Sequence, residues 1–167
     1  SILDDYSFTV SGADATGAVD MLNGVLCMKT GMLASAGHMQ AVAAALEKYG
    51  RALPDEAKGR AGCGHRLPLL VLDPVMIAST GHKLIDDAAI DVLVKELAPR
   101  SCVLTPNLAE ADALLAVLSG KEAGPEKLED SKPDHEKLDA AAARLLHGLD
   151  GCQSVLLKGG HSGDDLI

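Results

Sequence analysis

Short runs of consecutive apolar residues alternate along this chain with longer stretches in which apolar positions recur every three or four residues. The runs are Val25–Met28, Leu69–Leu72, Ser101–Thr105 and Val155–Leu157. Continuous apolar strands without in–out alternation belong to a parallel sheet covered on both faces. Between the runs lie helical patterns. Ser35 can cap a helix in which Met39, Val42, Ala45, Leu46 and Tyr49 share a stripe, and Gly50 offers a stop. Asp86 and Asp87 open a second, with Ile90, Leu93, Val94 and Leu97 on one face and Pro99 as its end. Asn107–Leu118 turns Leu108, Ala111, Leu114 and Leu115 inward, and His135–Leu149 is rich in Ala and Leu. The charged stretches Arg51–Arg66 and Ser119–Pro133 read as surface insertions. Strand and helix alternate about four times, which predicts an α/β fold of three α/β/α layers around a mostly parallel, doubly wound sheet. Residues 1–24 lack this periodicity and stand apart as an N-terminal segment; residues 25–167 form one partial domain.

Sheets of this kind bind ligands beyond the carboxyl ends of their strands. Each predicted strand ends in small, polar or turn-forming residues: Lys29-Thr30-Gly31, Asp73-Pro74, Thr105-Pro106-Asn107 and Lys158-Gly159-Gly160. Four such ends on one edge outline a site. A lysine directly after a buried strand is seldom placed for packing, although Lys29 can snorkel to solvent. Asp73 either holds a magnesium-bound phosphate or positions a phosphoryl group, or it merely ends its strand by Asp-Pro turn chemistry. Asn107 and Glu110 have the spacing of a capping box, which suffices to explain them, yet a helix N-terminus at this edge also suits an anion. Ser79-Thr80-Gly81 is either a phosphate-covering loop or an ordinary polar one. Met32 fits a core or the wall of a flat-ring site.

Composition narrows the classes of partner. The formal charge of −9 opposes binding to a phosphate backbone, so nucleic acid is not expected. No apolar run approaches membrane-spanning length. Cys27, Cys63, Cys102 and Cys152 form no CxxC pair; Cys27 and Cys102 sit in strand-like runs, where buried reduced thiols and hence a cytoplasmic setting are expected. The glycines do not spell a P-loop or a dinucleotide fingerprint.

Taken together and in order, KTGML at 29–33, VLDPVM at 71–76, STGHKLID at 79–86, LTPNLAEADAL at 104–114 and VLLKGGHSGDD at 155–165 resemble the hydroxymethylpyrimidine/phosphomethylpyrimidine kinases of the ribokinase-like superfamily. The resemblance implies a thiamine-biosynthetic phosphotransferase. It would use ATP with Mg2+ to phosphorylate the hydroxymethyl group of a pyrimidine alcohol and then the resulting monophosphate. It also implies roles by position: Met32 in substrate binding; Asp73, Thr80, Gly81, Asn107, Lys158 and Gly160 at the phosphates and nucleotide; Glu110 at the metal and its waters. A homodimer is among the assemblies it suggests. Family members also carry an N-terminal Gly-rich segment and a later Gly-x-Gly-Cys/Asp anion hole that supplies the base. Neither is present here, so the chain is expected to be truncated at both ends, to contain no catalytic base and to be inactive alone. Loss of one oxyanion donor costs on the order of 10²–10³ in rate. A pyridoxal kinase-like enzyme and a non-catalytic ligand-binding relic of the family are the competing expectations.

Overall fold

The computed structural model describes residues 27–52, 66–77, 82–120, 128 and 135–158. Four strands form a parallel sheet in the order β1 (Cys27–Thr30), β4 (Leu69–Leu72), β5 (Ser101–Leu104) and β6 (Ser154–Val155). Helix α1 (Ala36–Tyr49) lies between β1 and β4, α2 (Asp87–Val92) between β4 and β5, and both α3 (Leu108–Ser119) and α4 (His135–Gly148) between β5 and β6. Each described crossover steps to the next strand in one direction. The two central strands expose no residue: Leu70, Leu72, Ser101 and Leu104 are buried and their neighbours half-buried, as the unbroken apolar runs require.

Local signals set the helix starts. The Ser35 hydroxyl accepts from the His38 N–H at 3.4 Å, and the Asp86 carboxylate accepts from the Ala89 N–H at 2.8 Å. Gly50 does cap α1, but at φ −64° and ψ 135°, so its freedom to turn left-handed is unused and the chain runs straight into β2 (Arg51–Ala52). That strand pairs antiparallel with β3 (Arg66–Leu67), so the ends of the expected surface insertion are stitched together; residues 53–65 lie outside the described residues.

The second helix is less regular than its sequence pattern. After α2 the backbone widens to a π turn at Leu93–Leu97, with the Ala98 N–H donating to the Leu93 carbonyl, and tightens to a 3-10 turn at Ala98–Arg100. Pro99 is the physical cause, since it has no N–H to continue the ladder and its ring crowds the preceding turn. Gly151 packs against this corner with φ +95°, and a Cβ there would lie 2.5 Å from the Pro99 carbonyl oxygen. Only glycine satisfies both conditions.

The core joins the sheet to the helices through Leu70, Leu72 and Leu104 with Met39, Leu93, Leu97, Leu114 and Leu145, each 1% exposed or less. Full burial of one such side chain contributes about 1.5–3 kcal/mol. Cys27 departs from expectation: it is exposed, because it opens β1, which has a paired neighbour on one side only among the described residues. Cys102 is half-buried; it is the extra residue of a register shift between Leu70–Ser101 and Val71–Val103. Residues 1–26, including the expected N-terminal segment and the start of the first apolar run, lie outside the described residues. Among the described residues no helix is long and apolar enough to cross a membrane.

Candidate functional site

Parallel register brings the strand ends together. Because Thr30 pairs with Leu72 and Leu72 with Leu104, the residues that follow emerge side by side at one edge. The next step is made by backbone hydrogen bonds: the Thr105 N–H donates to the Leu72 carbonyl at 2.9 Å, and the Lys158 N–H to the Pro106 carbonyl at 2.8 Å. Asn107 and Lys158 form a parallel bridge. Thus Lys29, Asp73, Asn107 and Lys158, spread over 130 positions of sequence (29 to 158), converge on one edge.

Asp73 is the centre of this edge. Its backbone N–H donates to the buried Thr30 hydroxyl at 3.3 Å, and its carbonyl accepts from the Val75 N–H at 2.9 Å. These bonds aim the side chain out of the strand end. One carboxylate oxygen accepts from Lys158 Nζ at 2.7 Å and the other from Lys29 Nζ at 2.9 Å. The aspartate side chain is 15% exposed, against 39% for Lys158 and 60% for Lys29. Burial works against ionisation of Asp73, but the hydrogen bonds and charges of Lys158 and Lys29 together outweigh it and hold its carboxyl below the ordinary aspartate value. The three side chains carry a net charge of +1 when the carboxylate is ionised.

Beside them, α3 begins. Asn107 accepts from the Glu110 N–H at 2.8 Å, and the Glu110 carboxylate accepts from the Asn107 N–H at 2.8 Å, completing the capping box read from the sequence. Glu110 is 2% exposed and also accepts from the Met76 backbone. Its environment pushes its carboxyl above the ordinary glutamate value. Desolvation is the largest influence and the charge of Asp73 adds to it; the bonds from Asn107 and Met76 and the charge of Lys158 oppose it. Two carboxyl groups within electrical reach of each other therefore differ in affinity for a proton.

Of the residues singled out in the sequence, Asp73, Asn107, Glu110 and Lys158 meet at this edge. Met32 lies three residues beyond Lys29 and is 55% exposed, outside the core. After Asp73, Ile77 is bridged antiparallel to Lys83, and the Leu84 N–H donates to the Met76 carbonyl at 2.8 Å. Thr80, Gly81 and Gly160 lie outside the described residues. Among the described residues no three His, Cys, Asp or Glu side chains cluster in a way that could hold a metal. One or two carboxylates with phosphates and waters suit magnesium, which seldom takes an all-protein cage. Thr30 and Lys29 are the participants that no motif assigned a role. Their signal was placement: a polar residue and a cation at the end of an apolar strand.

Comparison with known proteins places the chain in a family. A family described as phosphomethylpyrimidine kinase matches residues 61–167. The thiamine biosynthesis bifunctional protein ThiED of Geobacter sulfurreducens is 37% identical over 134 residues, covering 80% of this chain and 21% of that protein. The hydroxymethylpyrimidine/phosphomethylpyrimidine kinase of Salmonella typhimurium is 34% identical over 136 residues, covering 81% of this chain and 40% of that one. Among solved structures, phosphomethylpyrimidine kinase from Clostridium difficile superposes with a TM-score of 0.58 at 24% identity, over 88% of this chain and 52% of that chain. Bacillus subtilis pyridoxal kinase superposes with a TM-score of 0.54 at 25% identity, over 86% and 42%. The chain therefore spans well under half the length of these curated relatives.

Proposed function

The chain belongs to the phosphomethylpyrimidine kinase family, and from that membership we propose that it supplies the phosphate-handling edge of an enzyme that transfers the γ-phosphoryl group of ATP to hydroxymethylpyrimidine and then to its monophosphate. The observation that carries the reading is the seating of Asp73 between Lys158 and Lys29, beside the N-terminus of α3. Phosphoryl transfer asks little covalent chemistry of a protein; it asks for positioning and for cations where charge develops. The Lys158 ammonium on this carboxylate, beside the start of α3, meets that need. The free N–H groups and positive dipole end of a capped helix add to the same field.

Asp73 and Glu110 fit a magnesium ion that arrives with the nucleotide. Asp73 would hold it, and Glu110, through water, would orient its shell. When bound, the ion would neutralise negative charge on the nucleotide's phosphates. Lys158 and Asn107 would position the phosphate chain, joined by Thr80, Gly81 and Gly160. Met32 would offer an apolar wall to the pyrimidine. Among the described residues Cys27, Cys102 and Cys152 form no disulfide, which suits a reducing, cytoplasmic setting.

The competing substrate is pyridoxal, since the fold is shared with a pyridoxal kinase while the curated relatives bear the pyrimidine kinase name. Specificity constants for both alcohols, measured on the intact protein with MgATP, separate the two. A preference for hydroxymethylpyrimidine of at least 10-fold, about 1.4 kcal/mol of differential binding, is expected. Preference for pyridoxal would overturn the substrate assignment and leave the kinase assignment standing.

A further inference from the structure

The two lysines on Asp73 reach it from opposite sides of the edge, and their surroundings differ. Lys158 follows β6, bridges to Asn107 and stands at the start of α3, where backbone N–H groups gather. Lys29 is the last residue but one of β1, on the other side. It is the more exposed of the pair, and the same turn leads to the exposed, apolar Met32. A cation three positions before an exposed thioether suits an organic phosphate, a flat apolar ring carrying a charged group, better than it suits a second segment of a triphosphate chain.

We infer that Lys29 is a specificity-determining residue that positions the substrate's own phosphate during the second phosphorylation. This rests on the function proposed above. The chemistry of the two steps differs. In the first, a hydroxyl oxygen must lose a proton as it attacks. In the second, an oxygen of the phosphomonoester forms a bond to the γ-phosphorus while the bond from that phosphorus to the β,γ-bridging oxygen breaks. The products are a diphosphate ester and ADP, and the dianionic nucleophile has no proton to give up. What the second step needs is a cation to bring one phosphate up against another and against the Asp73 carboxylate. Lys29 is placed for it: its ammonium sits 2.9 Å from Asp73 and is open to solvent, so an arriving phosphate can share or take it.

The test compares Lys29→Met and Lys29→Arg with the unsubstituted intact protein, on the pyrimidine alcohol and on its monophosphate, with ATP varied in each case. For Lys29→Met the ratio of specificity constants, alcohol over monophosphate, should rise by about 10- to 100-fold, the scale of one lost charge-assisted hydrogen bond. The loss should fall mainly in KM for the monophosphate, and Lys29→Arg should restore most of it. Equal losses on both substrates would overturn the inference. So would a rise confined to KM for ATP, which would move the ammonium to the nucleotide's phosphates. Calorimetric titration with the monophosphate stands apart from turnover. If the protein phosphorylates neither compound, the proposed function fails, and binding still decides Lys29. A dissociation constant weakened about 10-fold or more by Lys29→Met supports the inference, and an unchanged one overturns it.

Discussion

Asp73→Asn in the intact protein should lower phosphoryl transfer by about 10²–10³-fold while leaving the fold in place, the scale seen when one preorganised polar group is removed from a charged transition state. Asparagine keeps the size of the side chain and both backbone bonds that hold the turn, the one donated to the Thr30 hydroxyl and the one accepted from the Val75 N–H. What it removes is the charge that both ammonium groups share. Lys29 and Lys158 would lose their common partner, and a phosphate-bound cation would lose its carboxylate. Steady-state kinetics with thermal unfolding run in parallel is the check. Turnover within about threefold of the unsubstituted protein would show that Asp73 only ends its strand, the turn role that Asp-Pro pairs commonly play.

Glu110→Ala should cost about 2–4 kcal/mol of stability, because it strands two backbone N–H groups, of Asn107 and Met76, at a buried helix start. Glu110→Gln keeps an acceptor oxygen and should cost far less. The pair also carries a pH signature. The native environment holds the Glu110 proton more tightly than the unfolded chain does. Its contribution to stability is therefore greatest below the pKa of an unfolded glutamate and fades as pH rises through the raised native value. Asp73 has the opposite sign: its contribution is present above the unfolded aspartate value and is lost in stronger acid, as pH falls through the lowered native one. Denaturant unfolding of both variants across the acid range is the measurement. The stability of the parent relative to Glu110→Gln should decline as pH rises through the titration of Glu110. A flat difference would mean that Glu110 titrates as it does in the unfolded chain.

What the sequence disclosed was local. The caps at Ser35, Asp86 and Asn107 depend on residues three apart, and the structure contains all three. The strands at Leu69–Leu72 and Ser101–Leu104 announced themselves because burial on both faces makes a central strand almost wholly apolar. What stayed hidden was set by register. Lys29 and Asp73 are 44 residues apart, and only the pairing of Thr30 with Leu72 puts them within bonding distance. The same holds for Lys158, 85 residues from Asp73. The widened turn at Leu93–Leu97 follows from one proline whose effect reaches back a full turn, which an apolar stripe does not register. The exposure of Cys27 was missed because an apolar run does not say where its strand sits in the sheet. Glu110 carries two readings on the same atoms. Its cap is a matter of spacing, whereas its raised proton affinity depends on burial that only the packing supplies.

The central claim is that the Asp73 edge handles phosphoryl transfer to a pyrimidine alcohol. Phosphorus NMR of the intact protein with MgATP and hydroxymethylpyrimidine tests it most directly, because product and hydrolysis give different resonances. The account predicts a phosphomonoester signal that grows with ADP, followed by a diphosphate ester, with both suppressed in Asp73→Asn. ATP that remains unchanged, or that yields only ADP and inorganic phosphate, would contradict it.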